Sequence, residues 1–507
     1  MSLTRARNMV RTEPFAYEDF QGLDSSRDVR SQDTGSDQHL AVIDNAYCDW
    51  RGQIVRDPPA RHLHGSRPTI HVRHFGPGEA VYVERSNAGL TFKSDRDHIL
   101  ENVHPPNAVV SSTVFNQQVQ IACYGRALYS YDGAQFTRNM SPALNALMPA
   151  FVTSTQRRMV VAGIPGRETE IHLSRVDRAD IWPDDEADDS ENVLRAGKLD
   201  IANLLGTADR ITGLGSFEQS RLAVFTADRA IVYRIDPDLN RWSIDENANI
   251  QIGCASHNTI VNAGTDLIFC SRSGIHSIRR SEDNGILVYS LPLSEKVDLL
   301  YRQLFNSVEN PQDISAVFDQ DMAQYHIFFP QAGGINCKRL TLSLNPEGGE
   351  PQLKFSTGTF LNARCGAFLA GQLVFGTSGG IHEVVRMHGQ GGLSELPAPN
   401  LEIVTPYLWH GSVIDTKQTH ALIIQASGHG ILEIDAWDDA GRGLGSIVVE
   451  IDEYRTDDNS PRGVPLSRQY ERPWSHRYRG AQYRIRSRGG SDLLRIVGFA
   501  VVVRTED

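Results

Sequence analysis

Six times between residues 119 and 385 the chain repeats one short unit: an apolar strand core, a turn of four to six residues often holding glycine, and a second strand. The copies read VQIACYGRALYSYDG from Val119, RMVVAGIPGRETEIHLS from Arg158, RLAVFTADRAIVYRI from Arg221, DLIFCSRSGIHSI from Asp266, YHIFFPQAGGINCKRLTL from Tyr325 and QLVFGTSGGIHEVV from Gln372. Successive starts lie 39 residues apart at the closest (Val119 to Arg158) and 63 at the widest (Arg158 to Arg221). A lone hairpin cannot bury its apolar face, and propeller blades of four strands take about 40–50 residues. The spacing therefore predicts an all-β chain with a β-propeller of six or seven blades over residues 61–390. A sandwich of irregular hairpins fits the blade-like recurrence less well. Two wide gaps hold insertions: an acidic one within 177–207, with RADIWPDDEADDSENV, and a helical one within 293–310. An earlier strand pair, RPTIHVRHF and AVYVERSNAGLTF, supplies a further blade or closes the ring.

Outside that region the pattern changes. Residues 1–60 are polar and broken by turn residues, which predicts an extended N-terminal arm with a short hairpin at Asp49-Trp50-Arg51-Gly52. The Gly/Pro-rich segment GGLSELPAPN at 391–400 reads as a linker. Beyond it, residues 396–507 alternate strongly, as in ALIIQASGHGILEIDAWDD, AQYRIRSR and LLRIVGFAVVVR, and suit a small C-terminal β-sandwich-like domain. The one helical pattern, SEKVDLLYRQLFNSV, opens with Ser294 as N-cap and lines up Val297, Leu300, Leu304 and Val308 on one face.

Charge and cysteine usage narrow the function classes. The formal net charge of −12 is wrong for a protein that grips DNA along its surface, because that affinity comes from neutralising phosphates. Cys48, Cys123, Cys254, Cys270, Cys337 and Cys365 are scattered, without paired spacing, and Cys123, Cys254, Cys270 and Cys365 sit beside apolar residues, as buried free thiols do. No run approaches the roughly 18 apolar residues of a membrane helix, and the opening MSLTRARNMVRTEPF lacks the apolar stretch of a secretory signal. A soluble protein made in a cytoplasm is expected, with no membrane insertion by itself.

Few constellations point to chemistry. Gly376-Thr377-Ser378-Gly379-Gly380 lies between two strands, with no helix and no Lys-Ser/Thr pair after it, so it reads as a hairpin turn. Gly213-Leu214-Gly215-Ser216-Phe217 lacks the spacing of a nucleophile elbow. His62, His64, His71 and His74, with His98 and His104 nearby, are enriched, but no carboxylate or cysteine completes a ligand set. The run Asp184, Asp185, Glu186, Asp188, Asp189 and Glu191 lacks the alternation and central glycine of a calcium loop. It is a solvated loop or, more sharply, a loop that repels nucleic acid from a passage. In AQYRIRSR, Arg484, Arg486 and Arg488 take one face of a strand while Tyr483 and Ile485 take the other. With Arg477, Arg479 and Trp474 just before them, they form a candidate protein interface, since arginine and aromatics are enriched at such surfaces. No nucleophile–histidine or paired-carboxylate arrangement stands out. No metal site is expected from these residues.

Taken in order, the motifs resemble the tail nozzle, or tail tubular protein B, family of short-tailed bacteriophages. GLDSSRDVRSQDTGSDQHLAVIDNAYCDWRGQIVRDP resembles its opening. EIHLSRVDRADIW, ADRITGLGSFEQSRLAVFTADRAIVYRI and IQIGCASHNTIVNAGTDLIFCSRSGIHSI resemble its central strands, and the helix follows in place. VTPYLWHG and RYRGAQYRIRSR resemble its C-terminal domain. The strength of the likeness is collinearity over most of the chain; the acidic insertion at 183–192 and the Asp- and Arg-rich arm depart from the pattern. The resemblance implies a structural virion protein of the podovirus tail. It would be a homohexamer extending the DNA-ejection channel below the portal and the adaptor (head-to-tail connector), in contact with tail fibre or needle proteins. Viral DNA would pass through the lumen without specific binding, and the resemblance implies no enzyme activity and no cofactor. On this reading the acidic loop faces the lumen and the arginine face docks on a neighbour or the adaptor. The alternative from another class is a propeller-fold glycan hydrolase or lyase of a virion, which needs carboxylates or histidines converging on one propeller face.

Overall fold

The computed structural model describes residues 12–26, 38–49, 51–76, 79–139, 141–185, 192–204, 209–218, 220–245, 250–264, 266–278, 292–331, 336–344, 353–385, 396–411, 413–453, 467–489 and 494–505. The chain forms two compact units, one of Met1–Arg61, Thr341–Phe360 and Val385–Asp507, the other of His62–Leu340 and Leu361–Val384.

In the second unit, short runs rich in Val, Ile, Phe and Cys between Gly, Asn and Asp turns fold into up-and-down antiparallel sheets. Thr69–Phe75, Glu79–Arg85, Leu90–Ser94 and Ile99–His104 make the first blade. Four-stranded blades follow within 110–138, 151–200 and 211–244, and a three-stranded one within 261–277. Ser315–Asp319, Gln324–Pro330 and Cys337–Ser343 take the next place in the ring. The last blade joins Cys365–Leu369, Gln372–Thr377 and Gly380–Val384 to Ala60–His64, a strand from far earlier in the sequence. Inner strands touch in succession around the ring, and Cys365–Leu369 returns to Thr69–Phe75. The expected six or seven blades are thus six discrete sheets and a seventh set of strands. Each of the six repeated hairpins supplies the second and third strands of its blade.

The cores lie between neighbouring blades. Ile171 and Leu173 pack with Leu222, Val224 and Tyr233 of the next blade, and Phe225 meets Phe269 with ring centroids 4.7 Å apart. Each such side chain contributes about 1.5–3 kcal/mol by leaving water. All six cysteines are free and buried, the expected Cys123, Cys254, Cys270 and Cys365 and also Cys48 and Cys337, and burial raises every thiol above its ordinary pKa. The Gly-rich stretch is the expected hairpin turn, closed by Thr377 opposite Gly380. Gly380 has φ 113°, and a Cβ there would stand 2.4 Å from the His64 carbonyl oxygen of the ring-closing strand. Glycine is what lets the two strands approach.

Two helical details differ from expectation. Asp298–Asn306 forms a helix after a 3-10 turn at Glu295–Val297, and its buried side is Val297, Tyr301, Leu304, Phe305 and Val308, with Leu300 only half-buried. The Ser294 hydroxyl does not cap it, because it accepts the Ile275 N–H at 3.1 Å instead. A second helix, Pro142–Leu147, starts with Pro142 in the first turn and is capped by Ser141, whose Oγ accepts the Leu144 N–H at 3.0 Å.

The other unit draws on both ends of the chain. The expected N-terminal arm is extended but not separate: Thr12–Glu18 pairs antiparallel with Arg495–Thr505, and Val42–Asp44 with Glu402–Val404. An alternating segment beside an open sheet edge is drawn into the ladder. Ala46–Cys48 and Ile54–Arg56 form the expected hairpin, with Trp50 outside the described residues. The unit's organiser is the 22-residue strand Lys417–Asp438. Its first half pairs with Arg468–Pro473 and Arg495–Thr505, its second with Gly443–Glu453 and Ala481–Arg488. The switch falls at Gly428, whose φ of 105° suits glycine. One strand thereby serves two sheets, as at the corners of sandwiches, and Leu422, Ile424, Leu432, Ile434, Tyr483 and Ile485 are buried. The expected boundary at 396 moves, because residues 341–360 and the N-terminal strands belong to this unit too.

Candidate functional site

The arginine row lies where alternation put it: Tyr483 and Ile485 are buried, while Arg484, Arg486 and Arg488 face outward. The neighbouring strand places acids directly opposite, Asp435 across from Arg484 and Glu433 across from Arg486. Arg484 Nη2 donates to Asp435 at 2.9 Å and Arg486 Nη2 to the same carboxylate at 3.0 Å, while Arg488 Nη2 lies 2.9 Å from Glu433. The Arg484 guanidinium also covers the Trp437 ring at 4.8 Å. From the next strand, the Ser446 hydroxyl donates to Asp435 at 2.6 Å. Burial works to raise the Asp435 pKa, but the Ser446 and Arg484 hydrogen bonds and the arginine charges outweigh it and leave the carboxyl below its ordinary value. The expected basic face is therefore an arginine–carboxylate ladder whose charge is met within the chain. Trp474 is 8% exposed and packs against His476 and Tyr483, so it belongs to the core of this unit rather than to an open surface. Arg477 and Arg479 are exposed.

The acidic insertion is fastened at both ends. Trp182 at its entry is fully buried against Leu144 and Leu147 of the short helix, and its indole N–H donates to the Ala179 carbonyl at 3.0 Å. Asp185 accepts from the Ser141 hydroxyl at 2.8 Å and from the Trp182 N–H at 3.0 Å, so this carboxylate props the serine that caps the helix. Asp184 is exposed; Glu186, Asp188, Asp189 and Glu191 lie outside the described residues. At the exit stands Arg158, fully buried, whose guanidinium donates to the carbonyls of Ser174, Val193, Arg195 and Pro237. Its role was not readable in RMVVAG, because its partners are carbonyls up to 79 residues away.

The enriched histidines disperse. His62 Nε2 is 2.8 Å from the Gly65 carbonyl oxygen, His64 lies 3.7 Å from Asp95, and His98 Nδ1 is 2.9 Å from the Tyr131 hydroxyl. His104 is buried edge-on to Phe92. Among the described residues no group of His, Cys, Asp and Glu could hold a metal ion. His71 and His74, however, reach the wall of a cavity of about 380 Å³ between the inner strands of the propeller, with Arg73 beside them and His257 opposite in sequence space. That convergence was invisible in the sequence, since His257 comes from a different blade.

No protein-family model matches the chain, and no curated protein does. Among solved structures it is similar to the extracellular domain of a hybrid two-component system from B. thetaiotaomicron, at 10% identity over 88% of this chain and 62% of that one, TM-score 0.42. It is similar to virginiamycin B lyase from Staphylococcus aureus, at 10% identity over 66% and 99%, TM-score 0.35. BamB from Moraxella catarrhalis matches at 9% identity over 64% and 95%, TM-score 0.34. It is the strand pairing described above that makes this chain a propeller.

Proposed function

We propose that the chain is a structural virion protein, a tail nozzle subunit of which six copies form a ring that extends the DNA-ejection channel below the portal and adaptor. The observation that carries this reading is the weave of the chain. The propeller unit and the other β unit are joined by four covalent crossings, at 61/62, 340/341, 360/361 and 384/385, where a tandem pair of domains has one. Such a subunit resists being pulled apart, which suits the wall of a conduit. The collinear nozzle-like motifs run through both units and support the same reading.

The charge fits it as well. Each phosphate contact adds salt-dependent affinity and slows transit, so a conduit works best when it holds no DNA, and the chain's net charge is −12. In this reading the insertion carrying Asp184 faces the lumen, held in place by Trp182 and Arg158. The exposed Arg477, Arg479 and Arg488 are then the part of the arginine region that meets the adaptor or a neighbouring subunit, and fibre or needle proteins attach elsewhere. Mass photometry of the purified protein, alone and with an adaptor ring, tests the proposal. A hexamer, or six copies gathered on the adaptor, is expected; a monomer indifferent to every such ring would overturn it.

A further inference from the structure

The axial cavity carries an inference that does not depend on the conduit reading. Three inner-strand residues, His71, Arg73 and His74, line one side, and His257 and Asn258 come from the turn before Val261–Ala263. Arg73 has no hydrogen-bond or ion-pair partner among the described residues, and no carboxylate lines the wall. The half-buried Arg73 guanidinium is reached by solvent, so an anion entering the cavity meets a cation that no carboxylate of the wall neutralises. One of the histidines is set as a donor by its own hydrogen bond. His257 Nδ1 accepts the Leu214 N–H at 3.2 Å, which puts the proton of the neutral ring on Nε2. His71 Nε2 is 2.6 Å from the Ser112 hydroxyl, which orients its ring, and His74 Nε2 is buried without a partner.

We propose that this cavity binds a small phosphate, free or as a compact monoester, with Arg73 as the charged anchor and His71, His74 and His257 as hydrogen-bond donors. Donors from one strand and from the facing turn can reach separate oxygens of a tetrahedral oxyanion. A volume of about 380 Å³ holds phosphate and a few attached carbons, and is too small for a nucleic-acid duplex.

Binding has a pH signature. The ionisable groups on the wall are His71, Arg73 and His74 from one strand, His257 from the turn and Cys365 from Cys365–Leu369; Val110–Phe115 and Ser315–Asp319 supply none to it. Burial, with the Arg73 charge behind it, lowers the pKa of His71 to about 3 and of His257 to about 4, while burial holds Cys365 protonated. Both histidines are therefore neutral N–H donors between pH 6 and 8, where phosphate itself loses its second proton, so binding of the dianion strengthens as pH rises through that range.

The test is isothermal titration calorimetry of the full chain with inorganic phosphate and with glycerol phosphate at matched ionic strength. Wild type is expected to bind, more tightly at pH 8 than at pH 6, where the dianion is scarcer. Arg73→Gln should weaken binding at least tenfold, and Arg73→Lys should restore part of it. Tighter glycerol phosphate identifies a monoester as the natural ligand; equal affinities identify free phosphate. If Arg73→Gln does not fold, imidazole NMR of the wild type decides, since phosphate but not chloride should shift the His71 and His257 signals. No heat and no imidazole shift, or unchanged affinity in a folded Arg73→Gln, would overturn the proposal.

Discussion

Asp435 accepts from two arginines and a serine at once, so the ladder should weaken as a unit. Double-mutant cycles between Asp435→Asn and Arg484→Gln, read by urea denaturation, should give a coupling of about 0.5–1 kcal/mol, modest because the guanidinium is partly exposed. Because the folded-state pKa of Asp435 is depressed, its contribution is present above its ordinary value of 3.8 and lost as pH falls through the lower folded value. The buried histidines act earlier. Between about pH 6.5 and 4 the unfolded chain takes up protons that His71 and His257 refuse, so stability should fall with pH across that window. Thermal melts from pH 7 to 4.5 in chloride check this, and a flat midpoint would contradict it. The sequence made the outward face of Arg484, Arg486 and Arg488 legible, because alternation is local. It could not show Asp435, which lies 49 residues before Arg484 and meets it only once the strands pair.

Trp182→Ala removes the anchor between the acidic insertion and the Pro142–Leu147 helix, and should cost about 3–5 kcal/mol in denaturant midpoint experiments. Ser141→Ala removes the cap and one hydrogen bond to Asp185, and should cost about 1 kcal/mol by the same measurement. Equal costs would mean that the insertion hangs on its cap rather than its tryptophan. The blade hairpins were legible because each is a contiguous pair of apolar strands around a polar turn. The short helix was not, since six residues give barely two turns of periodicity. The Ser294 cap was misread because the serine suits either role, and only the fold brings Ile275 to it. The Thr12–Glu18 strand read as an arm because its ladder partner lies at the far end of the described chain.

For the molecule as a whole, the conduit reading predicts that charge reversal at Asp184 and the acids following it slows DNA ejection from reconstituted particles without changing the mass of the ring. Faster or unchanged ejection would argue against a lumenal loop. The propeller's closure has a consequence of its own. Ala60–His64 emerges from the ribosome before any blade, yet its ladder partner, Gly380–Val384, is the last propeller strand to appear. Roughly three hundred residues must be synthesised before the ring can latch, which at about 5–20 residues per second leaves an open circle for some tens of seconds at the slow end. During that interval the free edge of the final blade's future partner can pair with another nascent copy. The chain thus passes through a stage in which another copy can complete its ring, and crowded synthesis on one message should raise the share of strand-swapped dimers.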